Sequence, residues 1–395
     1  MLRGEYLTER AMSSRVTNFI LAVSTLVGTI IGVGMFGLPY AASRSGVAVT
    51  LAYLLVLGFV VTIIHLIYGE IVLRTSARHR LVGYAQIYLG RWGKLAASVI
   101  FFVTLYLALW VYLLVGGEFL STALSGYFSA GTGSLILAAV GFFVIYRGVR
   151  LAGVFEFLMT LVLLALIAGL VIYSKGFVAK ENLILPPASL ADWFLPYGIV
   201  LFALAGGSAV PEIRSLFRGG QSSVLKKAIV WGTWLPIAVY AVFILVVVGI
   251  SGGATSTEAI KGLSPFLFLG ANVVKYGAAI GFLAVITSFF TIGLNIKNSF
   301  RFDLGWSPGV SFILTVAVPL ALFWLGWNDF IKIISVGGAV LGGLEGLLLL
   351  AIWRRARRRG DRQPEYALKL RPILVCLIAL VFLAGIVYEI VYTLR

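Results

Sequence analysis

Leu26-Val-Gly28-Thr-Ile-Ile31-Gly32-Val33-Gly34-Met-Phe-Gly37-Leu-Pro39 lies in the first long apolar stretch of the chain, and Phe202-Ala-Leu-Ala205-Gly206-Gly207-Ser208-Ala-Val-Pro211 lies in the sixth. Glycine exposes backbone and tolerates unwinding, and proline removes a backbone donor. In both stretches a Gly precedes a Pro by five residues, Gly34 to Pro39 and Gly206 to Pro211. One such stretch alone reads as small residues permitting close helix packing. A matched pair, five apolar stretches apart, reads as two helices interrupted at corresponding positions of two halves, the best sequence pointer to a transporter's binding site. A five-helix repeat is odd, so its two copies must have opposite topology in the membrane.

The rest of the chain fits a membrane. Of 395 residues, 61% are hydrophobic and only 12% are charged, where a soluble domain is about half apolar and a quarter charged. Eleven apolar spans are expected, at about 16–42, 46–73, 94–122, 132–149, 151–173, 192–217, 224–250, 266–299, 307–326, 329–353 and 371–393. Each is near the roughly 20 residues that cross the hydrocarbon core, and too long for a barrel strand. The expected fold is thus an all-α polytopic membrane protein. It divides into an N-terminal segment (1–15), a first five-helix repeat (16–173), an outer loop (174–191), a second inverted repeat (192–353), a basic loop (354–370) and an eleventh helix (371–395). The first apolar stretch is too long for a signal peptide and reads as a retained span.

The net charge of +16 would suggest nucleic acid in a soluble protein. Here 24 of the 31 Lys and Arg fall on one set of loops and 7 on the other. That asymmetry is the positive-inside bias. It places the N-terminus in the cytoplasm and the C-terminus outside the cell membrane, with some attraction to anionic lipid; the run Arg354–Arg359 reads as a topology anchor, with a lipid-regulatory site as the alternative. No basic domain is left to bind nucleic acid. The chain has one cysteine, Cys376, and two histidines, His65 and His79. That leaves no disulfide, no metal cluster and no nucleophile–base pair, and no phosphate-binding loop occurs; no resident cofactor is expected and enzyme chemistry is disfavoured.

An interrupted helix at mid-membrane offers two kinds of backbone group. The N-terminus of its second half points free N–H groups and positive dipole at an anion. Its freed carbonyls accept from an ammonium or coordinate a cation. A zwitterion matches both, so the first span suits an α-carboxylate near Val33 and Gly34, and the sixth an ammonium near Ala205 and Gly206. Neither break contains a charged residue. Gly206, Gly207 and Ser208 carry almost no side-chain volume and leave room for a bulky group, which points to neutral amino acids, aromatic or large aliphatic.

The stretch Gly28-Thr-Ile-Ile-Gly-Val-Gly-Met-Phe-Gly-Leu-Pro-Tyr40 resembles the first helix of the amino acid–polyamine–organocation superfamily, and within it the bacterial tryptophan- and tyrosine-specific permeases and the amino acid/auxin permeases. Thr287-Ser-Phe-Phe-Thr-Ile-Gly-Leu-Asn295 is similar to their eighth helix. The resemblance implies the LeuT fold, with two inverted five-helix repeats, one helix beyond them, and substrate held by spans one, three, six and eight. On those spans Trp110 and Phe202 are the aromatics expected at the substrate. In sodium-coupled members a sodium site joins spans one and eight. Carried over, it would use the carbonyls of Gly28, Ile31 and Ala284 and the hydroxyls of Thr287 and Ser288. The alternative for both hydroxyls is a bond back to their own helix. Proton-coupled relatives place a lysine on span five, and none stands between Gly153 and Tyr173.

Ionisable residues inside spans are functional candidates. Glu118, after Gly116-Gly117, is the leading proton-carrier candidate and Glu345 the next. Glu70, Glu156 and Glu212 are expected to pair with arginines such as Arg74 and Arg214, and His65 to be a satisfied membrane histidine. The expected function is a secondary transporter of amino acids, cation-coupled, with sodium favoured over a proton. The alternative is a membrane sensor of amino acids that keeps the transporter fold without substantial transport. Oligomeric state and direction of transport stay open.

Overall fold

The computed structural model describes residues 2–147, 161–172 except 163, 166 and 170, 176–217 except 185, 188 and 190, 223–260, 263, 270–326 and 329–393. The helices in chain order are α1 (Leu2–Ile30), α2 (Gly34–Ser45), α3 (Val47–Leu73), α4 (Leu81–Ala123) and α5 (Ala130–Arg147). Then come α6 (Leu195–Ala203), α7 (Val210–Arg214), α8 (Ser223–Ser251) and α9 (Gly270–Asn298). The chain ends with α10 (Pro308–Trp324), α11 (Phe330–Val336), α12 (Gly343–Arg359) and α13 (Pro372–Thr393). No strand occurs among the described residues.

Among the described residues, eight segments are long and apolar enough to cross a membrane, and the bent pair Val16–Ile30 and Gly34–Ser45 makes a ninth. Pro308–Trp324, apolar but 17 residues long, takes the place of the expected ninth span. Ten of the eleven expected spans therefore have a helix. The fifth, 151–173, lies largely outside the described residues, and so does Glu156.

The expected boundaries hold within a few residues except in three places. The helix of the first span begins at Leu2 instead of 16. The third span begins at Leu81 instead of 94, because a short helix joins it through a kink at Gly90, whose φ of 76° favours a residue without a Cβ. The sixth divides into α6 and α7 around a six-residue break, at the interruption that its Gly and Pro implied. The tenth was expected as one plain helix. It contains a wider i→i+5 turn at Gly337–Gly342 between α11 and α12. At that turn α6 approaches backbone to backbone: a Cβ on Gly338 would collide with the carbonyl oxygen of Gly198, and one on Gly198 with that of Ser335.

Packing places the breaks at the centre. α8 packs on α1 and α3, α4 on α9 and α5, and α12 on α3, α4 and α13. Large side chains such as Tyr68, Tyr240, Phe36 and Phe119 are fully buried there. The opposite is true of α13, where Ile373, Leu377, Leu380 and Val387 are exposed, as expected for a helix at the lipid boundary. Its Cys376 is a free, exposed thiol.

Candidate functional site

The first span unwinds at residues 31–33, and its halves meet at 57°. The amide of Ile31 still reaches back to Val27, and the next backbone donor in use is Met35, which bonds Gly32. The amides of Gly32, Val33 and Gly34 thus find no acceptor among the described residues. The carbonyls of Gly28, Thr29 and Ile31 likewise receive no backbone donor. The sixth span unwinds at residues 204–209. Here the amide of Ala205 bonds Phe202 and that of Ala209 bonds Gly206, which leaves the amides of Gly206, Gly207 and Ser208 and the carbonyls of Leu204 and Ala205 without partners among the described residues.

The two breaks face each other. A Cβ on Gly34 would lie 2.7 Å from Ala203 Cα, and one on Gly206 would run into Ile30. The fully buried Tyr240 of α8 hydroxyl-bonds the last carbonyl of each upstream half, donating to Ile30 O at 2.7 Å and to Ala203 O at 3.0 Å. Tyr112 Oη and Ser288 Oγ would lie 2.8 and 3.4 Å from a Cβ on Gly32, which brings spans three and eight to the first break.

A cavity of about 140 Å³ (space open to the centre of a water-sized sphere) runs from the breaks to Arg80, at the basic end of the bundle. Gly34, Phe202, Ala205, Gly206, Gly207 and Ser208 line it. Val33 is buried and does not line it, though its amide lies within the break. Trp110 is buried but does not line the cavity. Tyr112 does, on the face of α4 that also carries Phe101, Thr104, Leu105 and Ala108. Those numbers recur at helical spacing, and Trp110 falls off the stripe.

Among the sodium-site candidates, Thr287 Oγ1 donates to the carbonyls of Leu283 and Ala284, each at 3.1 Å. This is the bond back to its own helix. Ser288 Oγ is buried and makes no hydrogen bond of ordinary geometry, with the Tyr112 hydroxyl its near neighbour.

The acidic residues sort differently from the order expected. Glu118 does not line the cavity, and the glycines before it serve packing: Gly116 accommodates Leu137 and Val285, and Gly117 accommodates Ser134 and Ala130. Glu345 does line it. Its Oε1 would lie 3.2 Å from a Cβ on Gly207, with Tyr68 and His65 beside the same point. The second break has no charge in sequence, yet a carboxylate from α12 stands against it in space. Glu70 is fully buried, pairs with Arg74 at 2.8 Å and accepts from the Leu368 amide. Glu212 pairs with Arg80 at 2.9 Å, not with Arg214. Thr233 gives its hydroxyl proton to Ile229 O, so it accepts from His65 Nδ1–H at 3.0 Å. A neutral His65 is then left with Nε2 as an acceptor.

Membrane-spanning helices, two of them broken and facing each other around an internal cavity, define the architecture of a polytopic transporter. Residues 15–392 match the tryptophan/tyrosine permease family, and the chain belongs to that family. It is similar to the tyrosine-specific transport system 1 of Haemophilus influenzae, 23% identical over 363 residues, which cover 86% of this chain and 89% of that protein. It is also similar to glutamine transporter 2 of Aliivibrio fischeri, 21% identical over 87% of this chain and 90% of that protein. Its fold matches the crystal structure of MhsT in complex with L-phenylalanine with a TM-score of 0.67 at 16% identity, covering 95% of this chain and 97% of that one. That likeness shows the fold alone, and it is the LeuT-type fold that the sequence implied. The protein is a transporter and not an enzyme.

Proposed function

We propose that this protein carries neutral amino acids, aromatic or large aliphatic, across the cell membrane by alternating access, coupled to a cation, with sodium favoured over a proton. The observation that carries the reading is the pair of facing breaks. Unpartnered amides at Gly32–Gly34 suit the α-carboxylate, and unpartnered carbonyls at Leu204 and Ala205 suit the ammonium. Cavity-lining Gly207, whose missing Cβ would approach only the end of the Glu345 side chain, leaves volume for a large side chain, whereas the space beside Gly206 is taken by Ile30. The relatives named for tyrosine transport and the L-phenylalanine complex of MhsT support the substrate class. With the basic end in the cytoplasm, as the positive-inside bias requires, the cavity extends from the breaks toward the cytoplasm.

Sodium is supported by the free carbonyls of Gly28 and Ile31 and by the unpartnered Ser288 hydroxyl. Thr287, though it donates to its own helix, keeps lone pairs for a cation. The test is uptake of labelled amino acids into proteoliposomes under imposed sodium or proton gradients. Tryptophan, tyrosine, phenylalanine and leucine should compete better than lysine or glutamate, and sodium should tighten substrate binding. Thr287→Ala with Ser288→Ala should erase the sodium response and leave weak binding. A flat sodium titration with a pH-driven uptake that Glu118→Gln abolishes would replace sodium by a proton. Binding without flux would identify a sensor.

A further inference from the structure

We propose that Phe382, on the eleventh span, is a specificity-determining wall of the substrate cavity and sets how large an amino acid side chain the cavity accepts. The inference rests on the amino-acid reading above and deepens it with a helix that stands outside the two five-helix repeats.

α13 has two faces. Leu380, Leu383 and Val387 are exposed, whereas Ile378 and Phe382 are 2% exposed and Glu389 4%. The buried positions recur at helical spacing, and the helix packs on α12, on the wide turn at Gly337–Gly342 and on α6. Two hydrogen bonds fix its register. Tyr197 of α6 donates its hydroxyl proton to Val381 O at 3.0 Å, one residue before Phe382. Ser335, near the end of α11, donates to the Glu389 carboxylate at 3.0 Å, two turns after it. Held in this way, the Phe382 ring meets α12 at a point without a side chain, since a Cβ on Gly346 would collide with it. Close approach through a glycine accounts for the contact between the two helices. It does not account for a ring that also lines the cavity, as Phe382 does beside Gly342, Glu345, Gly346 and Leu349. The space on this side is open: a Cβ on Gly342, one turn before Gly346, would meet nothing within 4 Å. A fixed aromatic surface bordering open volume is how a pocket selects its ligand by size.

The test is a binding profile. Full-length protein in lipid nanodiscs is titrated with L-leucine, L-phenylalanine, L-tyrosine and L-tryptophan. Phe382→Ala removes the wall and should raise the affinity for tryptophan relative to leucine about tenfold. Phe382→Trp thickens the wall and should lower the same ratio by a similar factor. Opposite shifts from two substitutions at one position are not what lost packing alone produces. Phe382→Leu disturbs the packing less and should move the ratio in the direction of Phe382→Ala by a smaller factor, so a misfolded alanine variant does not end the test. Leu380→Ala, on the exposed face of the same helix, should leave the ratio unchanged. If the affinities for all four amino acids fall together and the ratio stays fixed in folded Phe382→Ala or Phe382→Leu, the ring serves packing and the proposal is overturned. An equal shift in Leu380→Ala would overturn it as well. If the wild type binds none of the four, the amino-acid reading fails and takes the specificity role with it. Wild-type binding with an unshifted ratio in the variants removes the specificity role alone.

Discussion

The two breaks are built on different principles. The first spans three residues, and its neighbours leave no room: Gly34 lies against the Ala203 backbone and Gly32 against Tyr112. Its polar groups are backbone amides and carbonyls, held where a side chain would collide. The second spans six residues, lines the cavity with Gly206, Gly207 and Ser208, and borrows a carboxylate from α12. A site made of backbone alone can be destroyed by a methyl group but hardly tuned. A site completed by a side chain from another helix can be adjusted without disturbing the break.

The sharpest test of that contrast is Gly34→Val. The Ala203 backbone, 2.7 Å from the new Cβ, cannot move cheaply. Binding of L-tyrosine should weaken by roughly hundredfold or more, equivalent to about 2.8 kcal/mol, while membrane insertion and helix content by circular dichroism stay intact. Unchanged affinity in the folded variant would remove the first break from the substrate site. A middle effect is expected for Tyr240→Phe, which deletes the hydroxyl bonded to Ile30 and Ala203 and leaves both buried carbonyls unpaired. The cost is about 1–3 kcal/mol, read as a lowered melting temperature together with about tenfold weaker binding. If only stability falls, Tyr240 holds the bundle and not the relation between the breaks. The smallest effect belongs to Gly207→Ala, whose Cβ would stand 3.2 Å from Glu345 Oε1, at the end of a flexible side chain. Affinity should drop about threefold, some 0.6 kcal/mol; a loss as large as that of Gly34→Val would erase the difference between the breaks.

Much of the fold was legible because hydrocarbon imposes it: spans of about 20 apolar residues need no long-range information. The breaks were legible because Gly and Pro act locally, at Gly34–Pro39 and at Gly206–Pro211. The site residues that depend on helix phase were partly readable. Tyr112 belongs to a stripe with Thr104, Leu105 and Ala108, and following that period separates it from Trp110. Glu345 was readable only in part. Its sequence depth assumes a plain α-helix, whereas the wide turn at Gly337–Gly342 alters the phase and rise before it. The glycine row 337, 338, 342, 343 and 346 was the signal. Glu118 misled for the opposite reason: Gly116 and Gly117 looked like exposed backbone and are packing surfaces. Tyr240 left no trace, since its partners are carbonyls, and every residue has one.

That tyrosine has a mechanical consequence. A phenol has one proton, and here two carbonyls from inverted repeats reach for it. Neither bond can be at full strength while both exist. If one half-helix withdraws, the proton goes wholly to the other, so the bond that strengthens offsets part of the loss from the one that breaks. The hydroxyl thus works like the pivot of a balance, lowering the cost of tilting either repeat away from the other while leaving the centred arrangement slightly under-bonded.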